Sequence, residues 1–192
     1  MSAQLVDLAH IAPQPWKNGA GLTRELAVHP PGATPDNFDW RLSVAEIATD
    51  APFSPFPGID RCIVLLHGAG LLLRSPSGIV ERRLSTPGDP FHFAGDDTVN
   101  AQLIDGPSVD LNVMVRRGRY RADVKTITAE TAYVSAAAGL LLCLSGSWRC
   151  GSDAKVAQPM QALLWRHAMP ADRVLPLAAK SRALLVRLER CA

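Results

Sequence analysis

Between residues 109 and 116, Val109, Leu111, Val113 and Val115 alternate with Asp110, Asn112, Met114 and Arg116. Between residues 38 and 47, Phe38, Trp40, Leu42 and Val44 alternate in the same way with Asp39, Arg41, Ser43 and Ala45. Successive side chains of a strand point to opposite faces, so a period of two writes one apolar face and one mixed face. Residues 22–28 follow the pattern, with Arg24 interrupting the apolar set. Further strands are expected at 61–67, 71–74, 79–84, 91–93 and 99–104. Only residues 130–138 are open to a helical reading. Fifteen prolines and 14 glycines in 192 residues suit many short strands. The proline-rich stretches 29–37 and 51–58 are expected as loops, because proline cannot donate to a sheet ladder.

The pattern occurs twice. Ile63-Val64-Leu65-Leu66-His67-Gly68-Ala69-Gly70-Leu71 is an apolar run, a glycine turn and a second run, and Leu140-Leu141-Leu142-Cys143-Leu144-Ser145-Gly146-Ser147-Trp148 repeats the phrase 78 residues later. The alternation of 109–115 returns in 182–188 at an offset of 73, and 90–93 finds a counterpart in 162–165. A hairpin, a middle strand and a closing strand, in that order and twice, predict an all-β chain of two tandem antiparallel barrels. The halves would be jelly-roll-like and packed together, with residues 1–120 as the first and 121–192 as a shorter second. In the second hairpin, Gly146-Ser147 read as a two-residue loop favours a type II′ turn and sets Cys143 opposite Cys150.

Composition excludes several classes of function. With 47% hydrophobic residues, 20% charged residues and a net charge of +2, nothing draws the chain generally to nucleic acid or to an anionic membrane. The first ten residues lack the basic start and apolar core of a signal peptide, and no apolar run approaches the roughly 20 residues that span a bilayer. A cytoplasmic location is therefore expected. Cys62, Cys143, Cys150 and Cys191 form no C-x-x-C pair and are expected as reduced thiols. The five histidines include no H-x-H pair, which leaves only His67, His92 and Glu81 as a conceivable ligand set. No metal or other cofactor is expected, and no G-x-S-x-G nucleophile elbow occurs.

Four phrases concentrate polar chemistry. Trp16-Lys17-Asn18-Gly19-Ala20-Gly21-Leu22-Thr23-Arg24-Glu25 packs four side-chain donors around two glycines. Trp40-Arg41-Leu42-Ser43-Val44-Ala45 sends Arg41, Ser43 and Ala45 to one face, which is wet on a sandwich surface and a pocket wall inside a small barrel. Phe53-Ser54-Pro55-Phe56-Pro57-Gly58-Ile59-Asp60-Arg61 is a stiff aromatic loop whose arginine could grip a carboxylate with a two-pronged fork or pair with Asp60. Asp110-x-Asn112-x-Met114 mixes an acid, an amide and a thioether, a blend typical of ligand pockets.

In this order and spacing, Trp16-Lys17-Asn18-Gly19-x-Gly21-x-Thr23-Arg24-Glu25, Trp40-Arg41-x-Ser43-x-Ala45, Phe53-Ser54-x-Phe56-x-Gly58-x-Arg61 and Asp110-x-Asn112-x-Met114 resemble the HutD/Ves family. The resemblance implies a bicupin fold. It also implies a binding or regulatory protein linked to histidine utilisation, taking a pathway intermediate such as N-formylglutamate or urocanate. By motif match, Arg61 would be the carboxylate anchor, with Lys17, Asn18, Thr23, Arg41, Ser43 and Asn112 around it. The cationic heads of Lys17, Arg24, Arg41 and Arg61 would converge on one mouth, and Phe56 and Met114 would exclude water. The expected partner is a small carboxylate, not nucleic acid or membrane, and self-association into a homodimer stays open. The alternative is a cupin-type isomerase or hydrolase using Glu46 or His67 as acid–base, with a metal on His67 and His92.

Overall fold

The computed structural model describes residues 3–16, 18–133, 136–151, 155–168 and 172–191. Among them the regular structure is β, apart from one short 3-10 turn at Leu8–His10. The ambiguous stretch 130–138 contains the strand Thr131–Tyr133, and residues 134 and 135 lie outside the described set. No described helix is long and apolar enough to cross a membrane. The chain forms two compact units, Ala12–Arg121, and Met1–Ile11 with Ala122–Ala192.

In the unit Ala12–Arg121, alternation becomes a six-stranded antiparallel sheet. Its order is Gln14–Pro15, Gly21–His29, Trp40–Ile47, Ser108–Arg116, Ile59–His67 and Pro90–Ala94. A four-stranded sheet follows the order Ala51–Pro52, Asn100–Leu103, Leu71–Arg74 and Glu81–Leu84. Ala45, Ile47, Ile63 and Phe93 of the first sheet share one buried cluster with Leu71, Leu73, Leu84 and Ala101 of the second. The sheets therefore sandwich a core, as two half-apolar sheets must. The central register matters most for the site: Met114 lies between Arg41 and Arg61, and Asn112 between Ser43 and Ile63.

The second unit repeats this plan with fewer strands. Its five-stranded sheet runs Gln4–Asp7, Gln161–Trp165, Ala138–Ser145, Arg182–Arg190 and Tyr120–Ile127. Thr131–Tyr133, Asp172–Pro176, Trp148–Cys150 and Val156–Ala157 form the other sheet. The N-terminal residues 1–11, read from sequence as part of the first half, group with this unit. Gln4–Asp7 pairs along Gln161–Trp165 and covers that strand's outer edge.

The duplicated register follows the sequence offsets residue by residue. His67 pairs with Val109 and Leu65 with Asp110, leaving Leu66 in a bulge. Ser145 pairs with Arg182 and Cys143 with Ala183, leaving Leu144 in a bulge. These positions stand 78 and 73 residues apart. Ile63 pairs with Phe91 and Leu141 with Leu163, so the middle strands also correspond.

The hairpins do not form. Ile59–His67 belongs to the six-stranded sheet and Leu71–Arg74 to the four-stranded one, and Ala138–Ser145 and Trp148–Cys150 are divided in the same way. Cys143 and Cys150 are thus not cross-strand partners. Both are buried in one core cluster, and neither forms a disulfide among the described residues. The bulge and the following glycine turn the strand across from one sheet to the other, as bulges do at corners. Gly68 has φ +99° and Gly146 φ +71°. A Cβ on Gly68 would stand 2.4 Å from the Pro107 carbonyl oxygen, and one on Gly146 2.2 Å from Ser181 Oγ. Gly68→Ala combines a left-handed backbone with a backbone clash, and should lower unfolding free energy by about 2 kcal/mol or more in a urea titration. An unchanged midpoint would show that the corner tolerates a side chain.

Candidate functional site

A cavity of about 800 Å³, open to solvent, lies in the unit Ala12–Arg121. Its wall includes Asn18, Thr23, Arg41, Ser43, Phe56, Arg61, Asn112 and Met114. The sheet register explains the gathering. Arg41, Met114, Arg61 and Phe93 form one cross-strand row, and Glu25, Ser43, Asn112, Ile63 and Phe91 form the next. Alternation puts these rows on the same face, so three strands each contribute a polar side chain at neighbouring positions.

Arg61 is the most constrained of them. It is 5% exposed and makes no ion pair with any described residue. Asp60, the sequence alternative for its partner, binds Arg117 at 2.8 Å instead. The Arg61 Nε is buried without an acceptor, and Nη1 donates to the Ser54 carbonyl at a long 3.4 Å. The guanidinium carbon lies 4.9, 5.1 and 5.6 Å from the ring centres of Phe93, Phe53 and Phe56. Cation–π attraction from such rings is worth about 0.5–2 kcal/mol each and replaces part of the lost hydration. Burial, with the positive charge of Arg41 added, lowers the guanidinium pKa to about 10.

The aromatic loop is held in place by its backbone. The Phe53 amide donates to the Val99 carbonyl at 2.8 Å, and the Phe56 amide to the Gly95 carbonyl at 2.7 Å. The prolines leave those few donors to fix the loop over Arg61.

The other expected residues take varied roles. Arg41 reaches the wall but donates to Glu25 at 2.8 Å. Thr23 Oγ1 accepts from Trp16 Nε1 at 2.7 Å, and Asn18 Oδ1 accepts from the Ala20 amide at 3.1 Å. Arg24 is not at the cavity. It points to the opposite face of its strand and pairs with Glu46 there, which corrects the expected convergence. Its alternation with Leu22, ahead of the bulge between Glu25 and Ala27, was the sequence signal for that. Lys17 lies outside the described residues.

Sequence reading missed Trp16, Ser54 and Arg116 as parts of the wall. Arg116 continues the Asp110, Asn112, Met114 series by one more step, so the alternation itself could have found it. Its guanidinium donates to the carbonyls of Phe38 at 3.0 Å and Asp36 at 3.3 Å.

The residues named for a catalytic alternative do not assemble. Glu46 is engaged with Arg24 on the other face, and His67 and His92 are exposed. Among the described residues no three His, Cys, Asp or Glu side chains gather as a metal site. Burial pushes the Cys62 thiol up to about 12, far from a thiolate nucleophile.

The second unit supplies an internal comparison. Gly139 stands where Arg61 does, Leu185 where Asn112 does and Trp165 where Phe93 does, by the registers above. A Cβ on Gly139 would lie 2.2 Å from the Trp165 ring, so that indole occupies the ground an arginine side chain would need. Leu185 and Trp165 belong to a buried cluster. One duplicate filled this region with apolar side chains, and the other kept it polar.

A cation buried without a carboxylate costs stability. Arg61→Met should therefore leave the thermal midpoint equal to or above that of the parent, since the thioether suits the phenyl rings. A large fall in the midpoint would mean that the ring contacts outweigh the desolvation cost.

The family relationship is now direct. The HutD family model matches residues 8–185. Protein Ves of Citrobacter koseri is 38% identical over 161 residues, covering 83% of this chain and 81% of that protein. Protein Ves of Cronobacter sakazakii is 36% identical over 161 residues, covering 83% and 85%. The structure of HutD from Pseudomonas fluorescens SBW25, in a formate condition, superposes with a TM-score of 0.85 at 27% identity over 100% of both chains. A cupin 2 conserved barrel domain protein from Leptotrichia buccalis shares the fold alone, with a TM-score of 0.63 at 9% identity, covering 98% of each chain. On the family match and the Ves relatives together, this cupin-like, all-β chain belongs to the HutD family.

Proposed function

We propose that this chain is a small-carboxylate-binding protein that senses or limits histidine utilisation, with N-formylglutamate and urocanate as its leading ligands. One observation carries the reading: the Arg61 guanidinium is 5% exposed, bounds a cavity, and meets no carboxylate among the described residues. A buried cation in that state gains most from an anion arriving with the correct geometry. A carboxylate can take two parallel N–H donors from guanidinium, which no neutral oxygen matches.

The remaining wall supports the same ligand class. Ser43 and Asn112 offer polar groups one row from Arg61, and Met114 and Phe56 supply apolar surface beside them. Placed polar groups beside apolar surface are a usual feature of small-molecule pockets, and here the polar share is large, as a charged ligand would require. The pairing of Arg41 with Glu25 leaves that cation satisfied and makes Arg61 the anchor.

Calorimetric titration with N-formylglutamate, urocanate and formate tests the reading. Arg61→Ala should weaken the best ligand by about a hundredfold, on the order of 2–3 kcal/mol. Arg61→Lys should recover part of that, because an ammonium keeps the charge and loses the planar fork. Binding that ignores both substitutions, or no binding of any small carboxylate, would remove the basis for this function.

A further inference from the structure

Asp110 is wholly buried, with no exposed surface, on the strand that carries Asn112 and Met114 to the cavity. Its Oδ2 accepts the Ser108 hydroxyl at 2.7 Å. Its Oδ1 is buried and has no partner, and Asn112 Oδ1 is also buried and has none. The two residues are two positions apart on one face of a strand, which sets their Cα atoms roughly 7 Å apart. At that spacing two such side chains can bring their terminal oxygens together. Both oxygens are acceptors as they stand, so neither can satisfy the other. One proton on Asp110 Oδ1 makes it a donor and satisfies both.

We propose that Asp110 is held as a neutral carboxylic acid that donates from Oδ1 to Asn112 Oδ1, making it a positioning residue that fixes the Asn112 amide with its N–H donors turned to the ligand. The ligand part of this rests on the carboxylate-binding function above, whereas the hydrogen bond itself does not. The division of labour within the carboxyl group is consistent: Oδ2, the carbonyl oxygen of the acid, receives the Ser108 O–H, and Oδ1 carries the proton. An amide oriented this way adds its donors to Arg61 one row away, on the side where an anion would sit.

The surroundings favour the neutral acid. Ala45 and Leu65 flank Asp110 in the sheet, and Thr23 stands beyond Ala45. Leu71, Leu73, Leu84 and Ala101 of the facing sheet pack into the same core as Ala45. The charged side chains of this face stand farther along it, with Arg41 and Arg61 beside Met114 and Glu25 in the row of Asn112. Burial raises the Asp110 carboxyl to about 7, opposed only by the Ser108 hydroxyl. No charged described residue contributes to that shift.

The folded-state value lies above the ordinary 3.8, so the folded chain holds a proton that the unfolded chain releases between those values. Stability tied to this group is fully present below pH ~4 and is lost as pH rises through about 7. Asp110→Asn keeps an N–H donor for Asn112 and an acceptor for Ser108, and cannot ionise. Two measurements on the full chain and this variant decide the matter. In urea titrations without ligand, the parent should lose stability relative to Asp110→Asn between pH 5 and 8. In calorimetric titrations with formate and N-formylglutamate, parent affinity should fall about tenfold between pH 6 and 8.5, and affinity of Asp110→Asn should stay flat. Equal pH dependence of stability in both proteins would overturn the neutral acid. A pH-dependent stability gap with pH-independent binding would overturn the positioning role. If no carboxylate binds at any pH, the proposed function fails and the positioning role falls with it, while the urea titrations still decide the proton.

Discussion

A guanidinium removed from water must be compensated by its surroundings, and around Arg61 that requirement shapes a whole end of the unit. The partial solution is aromatic: Phe53, Phe56 and Phe93 place their rings about the charge. Phe93 arrives by register, opposite Arg61 on the edge strand Pro90–Ala94. Phe53 and Phe56 arrive on a proline loop in which their own amides are tied to the carbonyls of Val99 and Gly95. Gly95 is required there, since a Cβ would stand 2.7 Å from the Phe56 carbonyl oxygen. The loop, the edge strand and that glycine all serve to hold rings against one cation. Rings supply attraction without supplying charge, so the guanidinium stays short of an anion.

The duplication shows what the same scaffold does without that cation. With Gly139 in place of Arg61, the indole of Trp165 closes in, and Leu185 replaces Asn112. The result is an apolar cluster running from Leu141 to Leu185. Buried Ser108 and Ser181 are retained at equivalent positions beside equivalent glycines, Gly68 and Gly146. Corner geometry was thus kept in both copies, where backbone contact leaves no room for change. The wall residues were free to diverge, because the inner face of a strand accepts either apolar filling or a satisfied polar set.

The legible parts of the sequence were those written by period. The alternation at 109–116 and 38–47 gave both faces of the central strands correctly, and the offsets of 78 and 73 gave the repeat. The corners were misread as hairpins because a glycine after an apolar run signals a sharp change of direction and says nothing about whether the next strand pairs with the last one. That choice is made by the bulges at Leu66 and Leu144, which have no local signature. Arg24 was misplaced for a related reason: cationic residues in one motif need not share a face, and one residue of shift sends a side chain to the other side of the sheet. The N-terminal strand was invisible as a partner of Gln161–Trp165, because pairing across such a separation is set by edge availability and not by any pattern in Gln4–Asp7.

Stability and binding draw on different residues within the unit Ala12–Arg121, and the division follows the strand direction. Along Trp40–Ile47 and Ile59–His67, the positions beyond the row of Ser43 and Asn112, Ala45 and Ile47 with Leu65, are apolar and buried. Arg41 and Arg61 lie at the other end of the same alternating sets. Ser43 and Asn112 form the boundary row between them, half apolar and half polar in company. Apolar burial at one end, at about 25 cal/mol per Å², can carry a cost of a few kcal/mol at the other without loss of the fold. Three buried polar atoms without a partner, Arg61 Nε, Asn112 Oδ1 and Asp110 Oδ1, lie together on one face, while Arg24 Nε lies on the other face of the same sheet. Scattered, such atoms would be defects. Gathered on two adjacent strands of one sheet, two of the three on side chains that line the cavity, they form a surface whose missing partners a small polar molecule and one proton would provide.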